Sequence, residues 1–179
     1  MAGVNSSWYH HKYYIPWDEI LNVALTECVP AHLFTALIQT ESSFIPTAIR
    51  REPNWKYFYR VDEFANQLDI TPEEEEEAQR HSYGYCQIMG SVARENGFIE
   101  KLENLLNPTI NLRYGAKVFN KCLNRFPFWW DAVAAYNGGP GAVLKKFKNK
   151  YPNQIYVDRV RGYLNAMIPH ELLSEDKYK

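Results

Sequence analysis

Glu41 stands on the otherwise apolar face of a helix predicted over residues 30–42, within a turn or two of Phe34, Leu37 and Ile38. A carboxylate with such neighbours loses hydration, which disfavours its charged form and lifts its pKa towards that of a general acid. The competing reading is a helix-end glutamate that points into water. Gln87 follows Gly84 at a predicted loop-to-helix junction, where a side-chain amide can donate to and accept from a sugar, or simply sit exposed at a helix start. Tyr136 and Asn137 close a helix just before Gly138, Gly139, Pro140 and Gly141, so their polar ends can enter a cleft while Val133 and Ala134 pack inward. A half-buried core tyrosine is the plainer alternative. The chemistry such groups would serve is glycoside cleavage, which needs a proton on the leaving oxygen and support for an oxocarbenium-like centre.

The elements that must position these groups read as helices. Trp17, Ile20, Leu21, Ala24, Leu25 and Cys28 recur at helical spacing, and Pro30 suits the first turn of the helix that bears Glu41. Thr71-Pro72-Glu73-Glu74 has the form of a capping box, which makes the run 73–77 a solvated helix start favoured by the dipole. Gly84 is expected to open a short helix that Gly97 closes. Asn107-Pro108 opens a longer one with a core stripe of Leu112, Ala116, Phe119, Leu123 and Phe126. Helices over 129–137, from the glycine-rich turn to about Asn149, and over 153–167 complete the set, with little strand pattern anywhere. Trp129 and Trp130 read as core packing or as a sugar-stacking wall.

Composition sets the bounds. A chain of 179 residues, 46% of them hydrophobic, supports one buried core, here assigned to residues 17–169 between an arm at 1–16 and a charged tail at 170–179. A formal charge of −1 gives no general attraction to nucleic acid, so no nucleic-acid partner is expected. The three cysteines lack paired spacing and read as buried free thiols, and the five histidines form no HExxH, so no metal is expected. No apolar h-region or 18-residue apolar run is present, which predicts neither a signal peptide nor a membrane span.

Four segments in order resemble the motifs of the soluble lytic transglycosylase family: Ala36 through Glu41-Ser42-Ser43-Phe44 to Pro46, Gly84-Tyr85-Cys86-Gln87-Ile88-Met89, Ala134-Ala135-Tyr136-Asn137-Gly138-Gly139-Pro140, and Tyr156-Val157. The resemblance implies an all-α, lysozyme-like domain that cleaves peptidoglycan glycan strands without metal or organic cofactor. It makes Glu41 and Tyr136 catalytic, Glu41 acting first as acid and then as base, and assigns Gln87, Met89, Asn137 and Tyr156 to substrate binding. The substrate's own N-acetyl group would replace a nucleophile, and the 6-hydroxyl of N-acetylmuramic acid would close a 1,6-anhydro ring. The spacing over 82–98 looks most like the phage-borne branch, which implies delivery to the cell wall in a virion, through a lysis pore, or as part of a longer chain, with other virion proteins as partners.

Three departures accompany the match, one being that Pro152, Asn153, Gln154 and Ile155 offer no glutamate where family members often carry one before the last Tyr-Val. Arg50 stands where the family commonly has a serine, and residues 51–81 replace a short link with an insertion that carries Trp55, Tyr57, Phe58 and Tyr59. This insertion reads as a cover over part of the cleft or as a packed helical hairpin. Its Asp62 and Glu63 are the carboxylates that would position water in a hydrolytic, goose-type-like muramidase. A peptidoglycan-binding or virion structural domain that has kept the fold without turnover is the third reading.

Overall fold

The computed structural model describes residues 15–167, so the tail and all but Ile15 and Pro16 of the arm lie outside the described residues. The apolar run 33–38 offers water no polar face, and the helix it forms, α2 (Ala31–Ser42), is accordingly central. Leu33, Phe34, Ala36, Leu37 and Ile38 are all fully buried. The helix stops at Ser43 and Phe44, two consecutive non-glycine residues in the left-handed region, with φ of 53° and 60°. Such a sharp exit needs an anchor, and the buried Phe44 ring supplies one.

Around α2 lie α1 (Trp17–Thr26), α6 (Pro108–Arg125), α7 (Trp129–Gly138) and α9 (Gln154–Met167), with α9 packed along α2. Asn107 caps α6, its Oδ1 accepting from the amides of Thr109 and Ile110. Leu112, Ala116 and Phe119 form the expected stripe, but Phe126 follows the helix as its C-cap. The stripe on α1 is narrower than its spacing predicts: Ile20 and Ala24 are buried, whereas Leu21, Leu25 and Cys28 face water. Cys28 is thus an exposed thiol, and only Cys86 is fully buried.

Strands, not anticipated from the sequence, brace one side of the molecule. β1 (Ile49–Arg51), β2 (His81–Tyr83) and β3 (Ile88–Met89) form an antiparallel sheet in that order. They are too short for an alternating pattern to show. Gly84 therefore opens a tight loop between β2 and β3, not a helix, and α5 (Gly90–Glu95) begins only after β3. Glycine is required at position 84: its φ is +68°, and a Cβ there would lie 2.3 Å from Nδ2 of Asn111. Buried Asn111 fastens this loop to α6, donating to the carbonyls of Tyr83 and Leu105 and accepting from the Cys86 amide, each at 2.8 Å.

The insertion folds as a helical hairpin, α3 (Val61–Leu68) and α4 (Pro72–Gln79), between β1 and β2. The Thr71–Glu74 capping box is present. The acidic run is not wholly solvated, however. Glu75 is buried and takes a two-pronged grip from Arg94 of α5, Nε to Oε1 at 2.7 Å and Nη2 to Oε2 at 2.9 Å. Gln79 donates to the same carboxylate, while Arg94 also donates to the carbonyls of Phe98 and Glu100. Five consecutive glutamates carry no periodicity, so the inward one is chosen by a partner 19 residues away. The short α8 (Pro140–Leu144) ends well before Asn149, because residues 147–150 turn back in a tight bridge.

Removing one member of a fully buried ion pair strands the other charge, at a cost of roughly 3–5 kcal/mol. Arg94→Leu is therefore expected to lower unfolding stability by about that amount. Urea denaturation of the variant checks it, and a loss under about 1 kcal/mol would show that the pair does not hold the insertion to α5.

Candidate active site

A cleft of about 820 Å³ opens where the end of α2, the β2–β3 loop, the insertion, α5, α6 and the end of α7 converge. Glu41 lines it from the last turn of α2, one residue before the helix ends. Burial pushes the Glu41 pKa up to about 7, against the opposing pull of a hydrogen bond from Tyr156 and the charge of Arg50; nearby Glu52 adds a smaller upward push. The Tyr156 hydroxyl donates to Glu41 Oε1 at 2.6 Å, from α9 and across 115 residues of sequence. Burial first, and the Glu41 charge second, hold the Tyr156 hydroxyl well above its usual range, so it remains a donor.

Tyr136 also lines the cleft but does not touch the Glu41 carboxyl through a hydrogen bond; its hydroxyl donates to the Cys86 carbonyl at 2.8 Å. Its ring stands edge-on to Phe119 of the core, which fixes its orientation. Burial raises the Tyr136 and Cys86 groups well above their ordinary pKa values, and Glu41 adds to both. The two tyrosines thus differ in what their hydroxyls hold. Tyr156 contacts the acid directly, and Tyr136 ties α7 to the β2–β3 loop.

Gln87 lies in the cleft with a left-handed backbone, φ 46°, at the end of that loop rather than at a helix start. Its amide nitrogen donates to the carbonyls of Ala48 and Gly84 at 3.2 and 3.0 Å, and Oε1 accepts from Ser82 at 2.9 Å. With both amide hydrogens engaged, only the second lone pair of Oε1 is left for a ligand. Met89 lines the cleft at the N-cap of α5. Asn137 lines it too, its Oδ1 accepting from Asn153 at 3.0 Å. Trp129 and Trp130 pack half-buried against the core away from the cleft lining, with the Arg161 guanidinium 4.5 Å above the Trp130 ring.

Several cleft residues escaped the sequence reading. Asp62 and Glu63 do not line the cleft, whereas Glu52 and Glu95 do. Glu63 is instead paired with Arg60. Glu52 is held by Arg50 Nε at 2.5 Å. Residues two apart in an extended chain share a face, so a strand through Arg50 points to Glu52. Trp55 and Tyr57 of the insertion form one wall, with Trp55 Nε1 donating to Ser91 Oγ at 2.9 Å. Lys121 and Arg125 of α6 also line the cleft. Among the described residues no cluster of three His, Cys, Asp or Glu side chains is placed to hold a metal.

A mainly helical domain whose cleft is lined by a carboxyl of raised pKa has the design of a lysozyme-like glycan-cleaving protein. The chain belongs to the Transglycosylase SLT domain family, whose match spans residues 18–158. It is 26% identical to Protein IpgF of Shigella flexneri over 131 residues, covering 72% of this chain and 70% of that protein. Protein IpgF of Shigella sonnei is 35% identical over 77 residues, covering 41% of this chain and 50% of its own length. Among solved structures, an inactive glutamate-to-glutamine mutant of the lytic transglycosylase Slt from Pseudomonas aeruginosa matches with a TM-score of 0.58 at 19% identity. That match covers 84% of this chain but 23% of the Slt chain, so it establishes the lysozyme-like SLT fold for a domain-sized part of a longer protein.

The raised pKa of Glu41 has a consequence for stability. The folded-state value of about 7 exceeds the ordinary 4.5, so between these values the folded protein binds more protons than the unfolded chain, and stability falls as pH rises through this window. Glu41→Gln removes the titration while its carbonyl still accepts from Tyr156. The variant is expected to gain on the wild type by about 3 kcal/mol on going from about pH 4 to about pH 8. Parallel unfolding curves for the two proteins across that range would mean that Glu41 is solvated.

Proposed function

We propose that this domain cleaves the β-1,4 bond between N-acetylmuramic acid and N-acetylglucosamine in peptidoglycan, as a lytic transglycosylase that leaves 1,6-anhydro ends. The observation that carries this reading is the Glu41 carboxyl, facing the cleft with a pKa near 7. At that value the group is protonated often enough to donate to the leaving oxygen and, once ionised, basic enough to take a proton back. In the proposed sequence Glu41 protonates the bridging oxygen, and the N-acetyl oxygen supports the anomeric carbon as that bond breaks. The 6-hydroxyl then attacks, and Glu41 recovers its proton. The hydroxyl is tethered to the same sugar, so its effective concentration is high and no residue is needed to hold it. Gln87 would accept from the N-acetyl amide through the second lone pair of Oε1, which its protein partners leave free. Met89 and Asn137 would bound the sugar sites, and Tyr136 would act as a positioning residue through the Cys86 carbonyl.

Glu52 supports a second reading. A carboxylate near Glu41 could hold a water in place of the 6-hydroxyl and make the reaction a hydrolysis. Its tie to Arg50 fixes the position of this carboxylate at the cleft lining. The spacing over 82–98 supports phage-borne delivery in a virion or through a lysis pore; the curated relatives above are Shigella proteins.

Two experiments test the proposal. Glu41→Gln is expected to abolish muropeptide release from purified cell wall, with binding retained, because the amide cannot donate a catalytic proton; a folded variant that clears walls like the wild type would falsify the role of Glu41. In the same assay, wild-type digestion in oxygen-18 water should leave new muramic ends unlabelled, and label in most ends would establish hydrolysis and direct attention to Glu52.

The aromatic wall makes a separate expectation. Trp55→Ala with Tyr57→Ala should weaken glycan binding about tenfold or more while changing the melting temperature little, since Tyr57 is exposed and Trp55 half-exposed. Unchanged binding with a large stability loss would identify both as packing residues.

A further inference from the structure

Between Asp131 and Asp158 the chain carries no acidic residue, yet Lys145, Lys146, Lys148 and Lys150 crowd together there, in a protein of formal charge −1. The same stretch holds three of the most exposed large apolar side chains described, Leu144 at 79%, Phe147 at 71% and Ile155 at 72%. Its geometry is fixed. Buried Tyr151 donates to Asp131 Oδ1 at 2.5 Å, and Lys146 Nζ reaches the same oxygen at 3.3 Å, which pins the segment to α7. Phe147 and Lys150 exchange both backbone hydrogen bonds, with Lys148 and Asn149 left-handed at the tip of the turn. With Tyr151 and Lys146 turned inward, Leu144, Phe147, Lys148, Lys150 and Ile155 are presented outward. Among the described residues Lys145, Lys148 and Lys150 pair with no carboxylate, and Lys148 Nζ lies 5.4 Å from the Phe147 ring centre.

We propose that residues 144–155 dock the domain on an anionic membrane surface. Leu144, Phe147 and Ile155 enter the boundary between headgroups and acyl chains, and Lys145, Lys148 and Lys150 pair with lipid phosphates while their stems lie along the apolar layer. An anionic polymer in solution would satisfy the lysines but give the three apolar side chains nothing to bury against, so the combination favours a lipid surface. Docking of this kind is peripheral, made by the side chains of one exposed segment. Gly139 and Pro140 line the cleft, and α8 leads from Pro140 directly to Leu144. Docking through this segment would hold one end of the cleft beside the membrane and bring the nearest glycan strands within reach. The proposal goes beyond glycan cleavage and does not depend on it.

The test is co-sedimentation of the full chain with phosphatidylcholine vesicles, with and without about a third phosphatidylglycerol. Binding to the anionic vesicles is expected. It should weaken about tenfold or more for K145Q/K148Q/K150Q and similarly for L144S/F147S/I155S. Thermal unfolding and release of fragments from isolated wall should match the wild type in both variants. Failure of the wild type to bind anionic vesicles, or full binding by the apolar variant, overturns the proposal. Equal affinity for soluble polyphosphate overturns it too, as does a wild-type dimer in sedimentation velocity that the apolar substitutions dissolve without any vesicle binding. Cleavage lost in all proteins alike would count against the glycan-cleaving reading and leave the vesicle result to stand.

Discussion

A carboxyl buried at the C-terminal end of an apolar helix is the constraint around which this domain is built. The last turn of a helix carries partial negative charge, so α2 opposes ionisation of Glu41 on top of the loss of water. Only a group brought from elsewhere can hold such a carboxyl, and the Tyr156 hydroxyl does so from α9. That requirement explains why the C-terminal helix lies along the central one. Val157, Val160 and Leu164 of α9 are buried with the apolar side chains of α2, so the packing that stabilises the core also delivers the phenol.

The remaining walls of the cleft are attached by polar contacts that the core cannot supply. Asn111 secures the β2–β3 loop to α6, and Gln87 closes the same loop on Ala48 and Ser82. Tyr136 adds a third tie from α7 to Cys86. The loop is thus held from three directions at a place where two residues after Glu41 and Gln87 itself have left-handed backbones. Backbone held in a sparsely populated region persists only when its surroundings over-determine it, and functional sites are where such positions gather. The insertion is tied separately, through the Glu75–Arg94 pair, which lets Trp55 and Tyr57 stand against α5 as a rigid wall.

Local rules read well wherever they sufficed. The central helix, the Thr71 cap, the Asn107 cap and the start of α7 follow from apolar runs and cap residues at fixed spacing. Glu41 was legible because a lone carboxylate interrupts an apolar face. What failed depended on partners distant in sequence. The inward turn of Glu75 depends on Arg94, and the short strands depend on one another's hydrogen bonds. Gly84 resembles a helix-flanking glycine, which predicts a helix start near Gln87, yet the conformation of Gly84 answers to Asn111 across the loop. Glu52 and Glu95 carry no local mark of a cleft position, since their placement comes from the strand and from α5 closing over the insertion.

The division of labour between the two tyrosines bears on how one carboxyl can serve twice. Burial alone would drive Glu41 to a higher pKa, at which it stays protonated but gives its proton up less readily. The Tyr156 hydroxyl and the Arg50 charge pull in the opposite direction, and the value of about 7 is the balance of these opposed effects. A group that gives one proton and then takes one back must be neither too weak an acid nor too weak a base, so the balance matters more than either effect alone. Arg50, standing where the family commonly has a serine, belongs to that balance in a second way. It grips Glu52, the nearby charge that pushes the Glu41 pKa higher, so the group that lowers the value also fixes the position of the one that raises it. The departure at position 50 and the carboxylate at position 52 are therefore best understood together, as a tuning pair at the edge of the insertion rather than as the loss of a hydroxyl.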